Sequence, residues 1–381
     1  MKEIYLDNNA TTKVAPEAVE VMAQYFDSSF GNPSSLHKKG VEAERAIKNA
    51  RNLIDKTLHV KTSEVYFTSG ATESNNWAIK GAARANKRKG KHIITTKIEH
   101  DAVLETCKYL ENKGFRITYL DVDFSGNIKK EELLNAISED TILVAIMHVN
   151  NEIGTINNID DLANSVKDKK EDALFFSDGV QALGKISINL QNIDMYSLSS
   201  HKIHGPKGVG VLVIKDRVKV EPILHGGGQE KGKRSGTYNV PGIVGFSKAI
   251  ELACSNIEKN QKHFKNLKNR FLEKIEQLDG VRINSPEKSV PTTLNIGFEG
   301  VPAEVLLHTL EDKGIFASSG SACASGKRGV SHVLKAIKVP YPYISSSLRF
   351  SFSRYTTIEE IDFTCKVLRD ELPKLREITN A

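Results

Sequence analysis

The chain has 381 residues, 39% of them hydrophobic and 26% charged, an ordinary composition for a globular protein long enough to bury a sizeable core and to form two domains. The net charge of +6 comes from 53 basic and 47 acidic residues and is therefore a small imbalance. The N-terminus lacks the apolar run of a signal peptide, and no apolar run approaches the ~20 residues of a membrane span, so we predict a cytoplasmic protein without membrane contact.

Between about residues 60 and 215, short apolar runs alternate with helical stretches, a pattern typical of a parallel sheet wrapped by helices. A helix is predicted from Asp101 to Asn112, with Gly114 just past its end. The last two apolar runs are separated by too little chain for a helical crossover, so part of the sheet is expected to be antiparallel. The predicted strands are Val65–Thr68, His92–Thr95, Arg116–Leu120, Ile142–Met147, Leu174–Ser177, Met195–Leu198 and Val209–Ile214.

The densest basic run, Arg84 to Lys91, lies between the first two predicted strands. No aromatic residues interleave with its cations, so it lacks the side chains on which nucleic-acid bases stack. We interpret it as the solvated C-terminal end of a helix, where the helix dipole favours cations, with Gly90 as the stop. No direct contact with nucleic acid is expected.

A second, smaller α/β unit is predicted after the glycine-rich segment 226–236. A long helical stretch that carries charge along its length, from about Gly242 to Leu278, is expected to link the two parts of the chain. The strands of the smaller unit are predicted at Thr293–Phe298 and Leu348–Phe352.

Polar residues follow several predicted strands, and in open α/β sheets ligands bind at the carboxyl ends of the strands. The segment Ser69 to Asn76 comes directly after a strand and opens a helix. Its free backbone N–H groups and the helix dipole would form an anion site, to which Thr72 adds a hydroxyl. The alternative is a plain helix cap in which Thr72 pairs with Asn75 or Asn76. The sequence leaves both open.

Two further segments supply an acid and an amine. Asp178 to Gln181 follows the fifth predicted strand, and a carboxylate there can hold a protonated ring nitrogen, although Asp-Gly is also a common turn. Lys202 stands between an apolar run and Gly205-Pro206. It can form a Schiff base with an aldehyde cofactor if its surroundings lower its pKa, and is otherwise an ordinary loop lysine. His201 and His204 have no third ligand at a suitable spacing, so no intrinsic metal is predicted.

Cys323 lies among small, flexible residues, Ser318 to Gly326, that cannot bury it. We therefore predict that its thiol is presented to solvent on a mobile tether. The cysteines have no C-x-x-C spacing, which argues against a disulfide framework and a zinc site and indicates reduced thiols. The other three fall within helical patterns and are interpreted as core or indifferent positions: Cys107, Cys254 and Cys365.

Together these segments provide an anion site, a carboxylate, a lysine and a hydroxyl in the order that a pyridoxal phosphate enzyme needs. A series of ordered motifs accompanies them along the chain: Asp7–Thr12, Gly31–Ser35 with His37, Gly70–Asn76, Glu99-His100, His148–Gly154, Asp178–Gln181, Ser199–Lys202, Arg234–Thr237, Ser318–Cys323 and Leu348–Ser351. On these motifs essentially the whole chain resembles the class V aminotransferase-like family, and within it the group I NifS/IscS cysteine desulfurases.

The resemblance implies an α/β fold, the pyridoxal phosphate-dependent transferase fold of the aspartate aminotransferase type I-like kind. Its large domain, built on a mainly parallel seven-stranded sheet, would span residues 14–255. Its smaller α/β domain would comprise residues 1–13 and 256–381 and carry the Cys323 loop.

The resemblance also implies the roles of individual residues. Lys202 would carry pyridoxal 5'-phosphate, His100 would stack on its ring, and Asp178 would pair with the ring nitrogen. Arg349 would clamp the substrate carboxylate, the alternative being a surface salt bridge on an edge strand. Cys323, Lys202 and His100 are the implied catalytic residues. The implied phosphate contacts are Ala71, Thr72, Ser199, His201 and, from the other subunit of a homodimer, Thr237. Gln181 and Asn151 would contact the cofactor oxygen and the substrate, and Asn32 would contact the substrate.

Two features depart from the family pattern. His204 stands where many relatives have an aromatic residue. The chain also stops at Ala381, soon after the last predicted helix, whereas IscS-type members carry a longer tail that docks a scaffold protein. On that ground a NifS-like role is favoured.

The implied reaction converts L-cysteine to L-alanine, with Lys202 moving the Cα proton and Cys323 taking the sulfur as a persulfide. The acceptor would be an iron–sulfur scaffold protein, with which Cys323 could transiently share a cluster, or an enzyme of tRNA thiolation or another thio-cofactor pathway. An unperturbed thiol is only a few per cent ionised near neutral pH, so the site must activate it. Three alternatives stay open: another class V reaction such as a transaminase or β-lyase, a selenocysteine lyase, and a non-enzymatic assembly protein.

Overall fold

The structure, a computed structural model, describes residues 3–319 and 330–379, so the predicted nucleophile Cys323 lies outside the described residues. The strands in chain order are β1 (Ile4–Tyr5), β2 (Val65–Thr68), β3 (His92–Thr96), β4 (Arg116–Leu120), β5 (Thr141–Ala145), β6 (Leu174–Asp178), β7 (Met195–Ser199), β8 (Gly210–Ile214), β9 (Val281–Ile283), β10 (Thr293–Phe298), β11 (Ile315–Phe316) and β12 (Ser347–Ser351). The α-helices are α1 (Pro16–Ala23), α2 (Lys38–Leu58), α3 (Ala71–Asn86), α4 (Asp101–Glu111), α5 (Lys130–Ala136), α6 (Ile159–Lys169), α7 (Val240–Cys254), α8 (Ile257–Ile275), α9 (Ala303–Asp312), α10 (His332–Ala336), α11 (Tyr341–Ile344) and α12 (Ile358–Thr379).

The central sheet has seven strands, as predicted, and their order is β2-β8-β7-β6-β5-β3-β4. Strand β8 runs antiparallel to both of its neighbours, β2 and β7, and the other pairs are parallel, which confirms the expected antiparallel part. Strands β2, β3, β5, β6 and β7 therefore all end at the same edge of the sheet. The polar segments that follow them meet there.

Both faces of this sheet are covered. Successive side chains of a strand point to opposite faces, so neighbouring residues enter different cores. Phe67 packs into a core that includes Ile47 and Phe246, from helices α2 and α7. Its neighbour Tyr66 packs into a separate core that includes Trp77 of helix α3. Strands β5, β7 and β8 are buried along their whole length, which explains why they read as continuous apolar runs.

A further core joins the beginning of the chain to its C-terminal third. Ile4 and Leu6 pack with Phe271 of α8, Leu294 of β10 and Phe350 of β12. Strands β12, β10 and β9 form an antiparallel sheet in that order, and β1 pairs with β11 in parallel. Because a bridge also links Asp7 to β12, the polar residues that follow β1 are held between this core and the central sheet.

The helical stretch predicted from Gly242 to Leu278 consists of two helices, because α7 ends at Cys254 and α8 begins at Ile257. Asn256 lies between them with φ −138° and ψ 40°, outside the helical region. Serine and asparagine side chains compete for backbone hydrogen bonds and so favour such a break. The helix predicted from Asp101 is confirmed, and α3 ends at Asn86 inside the basic run. None of the helices within residues 3–319 and 330–379 is long and apolar enough to cross a membrane.

Candidate active site

A cavity of about 570 Å³ lies at the edge of the central sheet where the strands end. Its volume is in the range of small-molecule binding sites. Two predicted site residues, Thr237 and Asn32, are exposed and do not line it, and Cys323 lies outside the described residues. The predicted residues that do line it are Ala71, Thr72, His100, Asn151, Asp178, Gln181, Ser199, His201, Lys202 and Arg349.

The N-terminus of α3 forms one end of this cavity. Gly70 is its N-cap, with φ +153° and ψ 179°, a conformation essentially restricted to glycine, and it supplies no capping side chain. Gly210 of β8 lies against this turn, since a Cβ there would be 2.7 Å from the Gly70 Cα. The alternative cap at Thr72 is wrong, because the helix has already begun at Ala71. The first turn thus offers uncapped N–H groups and the positive end of the dipole to an anion.

An ion pair joins this turn to the segment Arg234–Thr237. Arg234 Nε and Nη2 lie 2.8 and 3.1 Å from the two Glu73 carboxylate oxygens. Glu73 also accepts a 2.7 Å hydrogen bond from the Ser69 backbone N–H. Burial raises the pKa of Glu73, but the hydrogen bonds from Arg234 and Ser69 outweigh it and hold that pKa below its ordinary value. Glu73 therefore stays ionised and fixes the position of Ser69.

Asp178, the last residue of β6, is held by two donors. Its Oδ2 accepts from Asn75 Nδ2 at 2.7 Å, and its Oδ1 accepts from the Val180 backbone N–H at 3.0 Å. Asn75 is fully buried on α3. The sequence reasoning included Asn75 in the anion segment but missed this contact, since nothing in the local pattern joins α3 to β6.

Lys202 lies in a short 3-10 turn that follows β7. Its Nζ donates to the backbone carbonyl oxygens of Asn9 and Ala10, each at 2.7 Å. The N-terminal segment is fastened to this turn, because the Thr12 backbone N–H and hydroxyl both donate to the His201 carbonyl at 2.9 Å. In the sequence, the motif Asp7–Thr12 corresponds to this wall of the cavity, but no role was predicted for the motif.

Two histidines that line the cavity have fixed rings. His100 Nδ1 accepts from the Ala102 backbone N–H at 3.1 Å, so the neutral ring carries its proton on Nε2. His201 Nδ1 lies 3.1 Å from the Thr11 hydroxyl. Burial and then the nearby charge of Lys202 lower the pKa of His201 to about 4, so this ring is neutral near pH 7.

Arg349 on β12 is only 2% exposed, so the alternative of a surface salt bridge is wrong. Its Nη2 pairs with Asp7 Oδ1 at 2.8 Å, and its Nη1 donates to the Asn151 carbonyl at 3.1 Å. Its Nε is buried and has no hydrogen-bond partner in residues 3–319 and 330–379. The guanidinium therefore has an unused donor with which to bind an anion.

Two buried titratable groups lie beside the site, and no role was predicted for either from the sequence. Glu99 accepts from the Thr96 hydroxyl at 2.8 Å and the Met147 N–H at 3.0 Å. Burial raises the pKa of Glu99 to about 8, so its carboxyl group is mostly protonated at neutral pH. The second group is Lys185, which donates to Gln181 and Asn9.

Ionisation of the thiol is disfavoured in each of the three cysteines within the described ranges. Burial raises the pKa of Cys107 to about 12, that of Cys254 to about 11 and that of Cys365 to about 12. Cys107 and Cys365 lie in hydrophobic cores, which confirms their interpretation as core positions. Residues 3–319 and 330–379 contain no group of three or more His, Cys, Asp and Glu side chains that could hold a metal ion.

The donor set of this cavity fits pyridoxal phosphate. The uncapped turn of α3 suits a phosphate, the fixed carboxylate of Asp178 suits a ring nitrogen, and the amine of Lys202 suits an aldehyde. The unused Nε–H of Arg349 suits the carboxylate of an amino acid.

Comparison with known proteins decides the family. Residues 4–363 match the family model described as Aminotransferase class-V. The chain belongs to the class V aminotransferase family. Class V aminotransferases and their cysteine desulfurase members depend on pyridoxal phosphate, and so does this protein.

Several class V relatives match almost the whole chain. The protein named cysteine desulfurase IscS from Methanosarcina thermophila is 46% identical over 99% of this chain and 94% of its own length. A protein of the same name from Clostridium botulinum (strain Hall) is 45% identical over 99% of this chain and 96% of its own. A solved structure named NifS-like protein has a TM-score of 0.93 and 41% identity, covering 98% of this chain and all of the other. These matches confirm the predicted fold.

Proposed function

We propose that this protein is a pyridoxal phosphate-dependent cysteine desulfurase, which converts L-cysteine to L-alanine and transfers the sulfur to Cys323 as a persulfide. The observation that carries this proposal is the 45–46% identity, over 99% of the chain, with proteins named cysteine desulfurase. The name IscS of those relatives supports the supply of sulfur for iron–sulfur cluster assembly.

The cofactor, when bound, supplies an aldehyde for Lys202 and a ring that accepts electrons from the substrate. We assign its phosphate to the first turn of α3 with Ser199 and His201, and its ring nitrogen to Asp178. His100 covers the ring, and Gln181 and Asn151 approach its oxygen and the substrate. The support for these roles is that all of these residues line one cavity.

The chain's own residues bind the substrate and move its protons. Arg349 binds the carboxylate of L-cysteine, for which its unused Nε–H is suited. Lys202 Nζ takes the Cα proton, and His100 Nε2 exchanges a proton with the substrate thiol. Asn32, exposed in the single chain, is proposed to reach the substrate from outside the cavity lining.

Cys323 performs the sulfur transfer. Its thiolate attacks the substrate sulfur, and the new S–S bond forms as the substrate's C–S bond breaks. The electron pair of the broken bond stays with carbon, which takes up one proton, and the return of the Cα proton from Lys202 completes L-alanine. Burial raises the pKa of Cys107, Cys254 and Cys365 to about 11 or above, which argues against any of these three as the thiolate.

The assembly proposed for this reaction is a homodimer in which Thr237 contacts the phosphate of the other subunit. The exposed position of Thr237, outside the cavity of its own chain, supports that role. We propose residues 14–255 as the large domain, and residues 1–13 with 256–381 as the small one. The separate core that joins Ile4 and Leu6 to the C-terminal third supports this division. A cytoplasmic location suits a thiol that must stay reduced, and the acceptor is an iron–sulfur scaffold protein or a thiolation enzyme.

The products from L-cysteine test the function. The holoprotein, with a reductant present, is expected to release L-alanine and sulfide in equal amounts and no pyruvate. Lys202→Ala should abolish both products, whereas Lys97→Ala, at an exposed ion pair with Asp121, should change neither. Pyruvate with sulfide would instead identify a β-lyase, and a keto acid that keeps its sulfur would identify a transaminase. Parallel assays with L-selenocysteine separate the selenocysteine lyase alternative.

A further inference from the structure

Lys185 is a buried lysine that the proposed reaction does not use. It is 7% exposed, and its Nζ donates to Gln181 Oε1 at 2.5 Å and to Asn9 Oδ1 at 3.0 Å. Within the described ranges it forms no salt bridge with a carboxylate, although buried lysines are normally paired with one. Burying a lysine without a carboxylate partner destabilises the fold, so we expect its hydrogen bonds to the two oxygens to have a role.

Asn9, the first of these partners, connects several parts of the site. Its backbone oxygen accepts from both Lys202 Nζ at 2.7 Å and Gln181 Nε2 at 3.1 Å. Its side-chain Nδ2 donates to the Asn151 carbonyl at 3.1 Å and to the Thr293 hydroxyl at 2.7 Å. Lys185 therefore holds two of the groups that converge on the acceptor of Lys202.

The amine of Lys185 can donate to both oxygens in either protonation state. Burial, followed by the charges of Lys202 and Arg349, lowers the pKa of Lys185 to about 7. A neutral amine has two N–H bonds, one for each oxygen. Two more titratable groups, His204 and Arg354, line a small cavity together with Lys185. From α8, the uncharged side chain of Gln261 donates to the Lys185 carbonyl.

We propose that Lys185 is a positioning residue, which fixes the Gln181 amide and the Asn9 side chain and, through them, the Asn9 carbonyl oxygen, one of the two that accept hydrogen bonds from Lys202. The inference goes beyond the proposed function, because it concerns how Lys202 is held before any substrate binds. Lys185 touches neither substrate nor cofactor in this account.

A double-mutant cycle of Lys185→Met and Gln181→Leu tests the proposal. The measured quantity is the rate at which apoprotein captures pyridoxal phosphate on Lys202, followed by the absorbance of the product. Each single variant is expected to capture the cofactor about tenfold more slowly than wild type. The double variant should be no more than about twofold slower than Gln181→Leu alone, because the two residues act as a unit.

The matched control is Lys268→Met. Lys268 is also buried, at 8% exposure, and donates to the Ser289 hydroxyl at 2.7 Å, but it does not line the main cavity. Burial lowers its pKa too. This variant should lose about as much resistance to unfolding as Lys185→Met and keep the wild-type capture rate within about twofold.

Three results would overturn the proposal. Lys185→Met could capture the cofactor at the wild-type rate, the double variant could be slowed by the product of the two single effects, or Lys268→Met could be slowed as much as Lys185→Met. If Lys185→Met does not fold, Lys185→Gln enters the same cycle and is judged by the same results. Failure of this proposal can be told apart from failure of the proposed function. A wild-type protein that captures the cofactor but forms no alanine from L-cysteine would contradict the proposed function, and the double-mutant cycle could still be measured.

Discussion

Asn75 and Asp178 are joined by a hydrogen bond of 2.7 Å between Nδ2 and Oδ2, although 103 residues separate them in the chain. Asn75 lies on α3, whose N-terminus forms the anion site, and Asp178 ends β6. One helix therefore fixes both the anion site and the orientation of the acid. We therefore expect this helix to set the distance between the two places proposed to hold the phosphate and the ring nitrogen of the cofactor.

Removing that contact should weaken cofactor binding. Asn75→Ala leaves one oxygen of Asp178 without its donor, and a lost hydrogen bond to a charged group costs about 1.5–3 kcal/mol. We expect the dissociation constant of pyridoxal phosphate to rise about tenfold or more, measured by titrating apoprotein. Asn86→Ala is the matched control, since Asn86 ends the same helix and its Nδ2 donates, among the described residues, to backbone carbonyls only. Equal affinity in the two variants would contradict the role given to Asn75.

The ion pair between Arg234 and Glu73 should also support the anion site. Arg234→Gln removes one half of a pair whose side chains are 18% and 11% exposed, so Glu73 keeps a largely buried charge without its partner. The Ser69 N–H that Glu73 holds is then released, and we expect a several-fold loss of cofactor affinity. The effect should exceed that of Lys61→Ala, which breaks an exposed pair with Asp216. Identical affinities would show that the pair is only structural.

Glu99 should make the protein less stable as the pH rises. Its pKa is about 8 in the folded chain against an ordinary 4.5, so the folded state holds a proton that the unfolded state lacks between these values. The stabilisation is full below pH 4.5 and is lost as the pH rises through 8. Glu99→Gln cannot ionise, so its free energy of unfolding should fall less over that range, by on the order of a few kcal/mol.

Denaturant unfolding of the apoprotein at several pH values measures this difference. Groups such as His148, whose pKa burial lowers to about 4, make stability rise with pH in wild type and variant alike and so cancel. Glu105→Gln, at a carboxyl that is 66% exposed, is the control and should follow wild type. Parallel curves for Glu99→Gln and wild type would mean that Glu99 is not protonated in the folded chain.

The sequence revealed those parts of the site that depend on local pattern. Asp178 and Lys202 were found because each follows an apolar run, and such runs are readable when a strand is buried on both faces. The contacts of Asn75 with Asp178 and of Lys185 with Asn9 were missed, because they join segments more than a hundred residues apart. The break at Asn256 was missed because no glycine or proline marks it and helix-forming residues lie on both sides of it.

Sulfur transfer through Cys323 is tested most directly by the mass of the protein after one turnover with L-cysteine. The account predicts one added sulfur atom on the peptide that contains Cys323 and none on those with Cys107, Cys254 or Cys365, whose thiols are buried or half-buried. Cys323→Ala should gain no sulfur and form no alanine, while it keeps its bound pyridoxal phosphate. If that variant released alanine as fast as wild type, or if the added sulfur lay on another cysteine, the account would be contradicted.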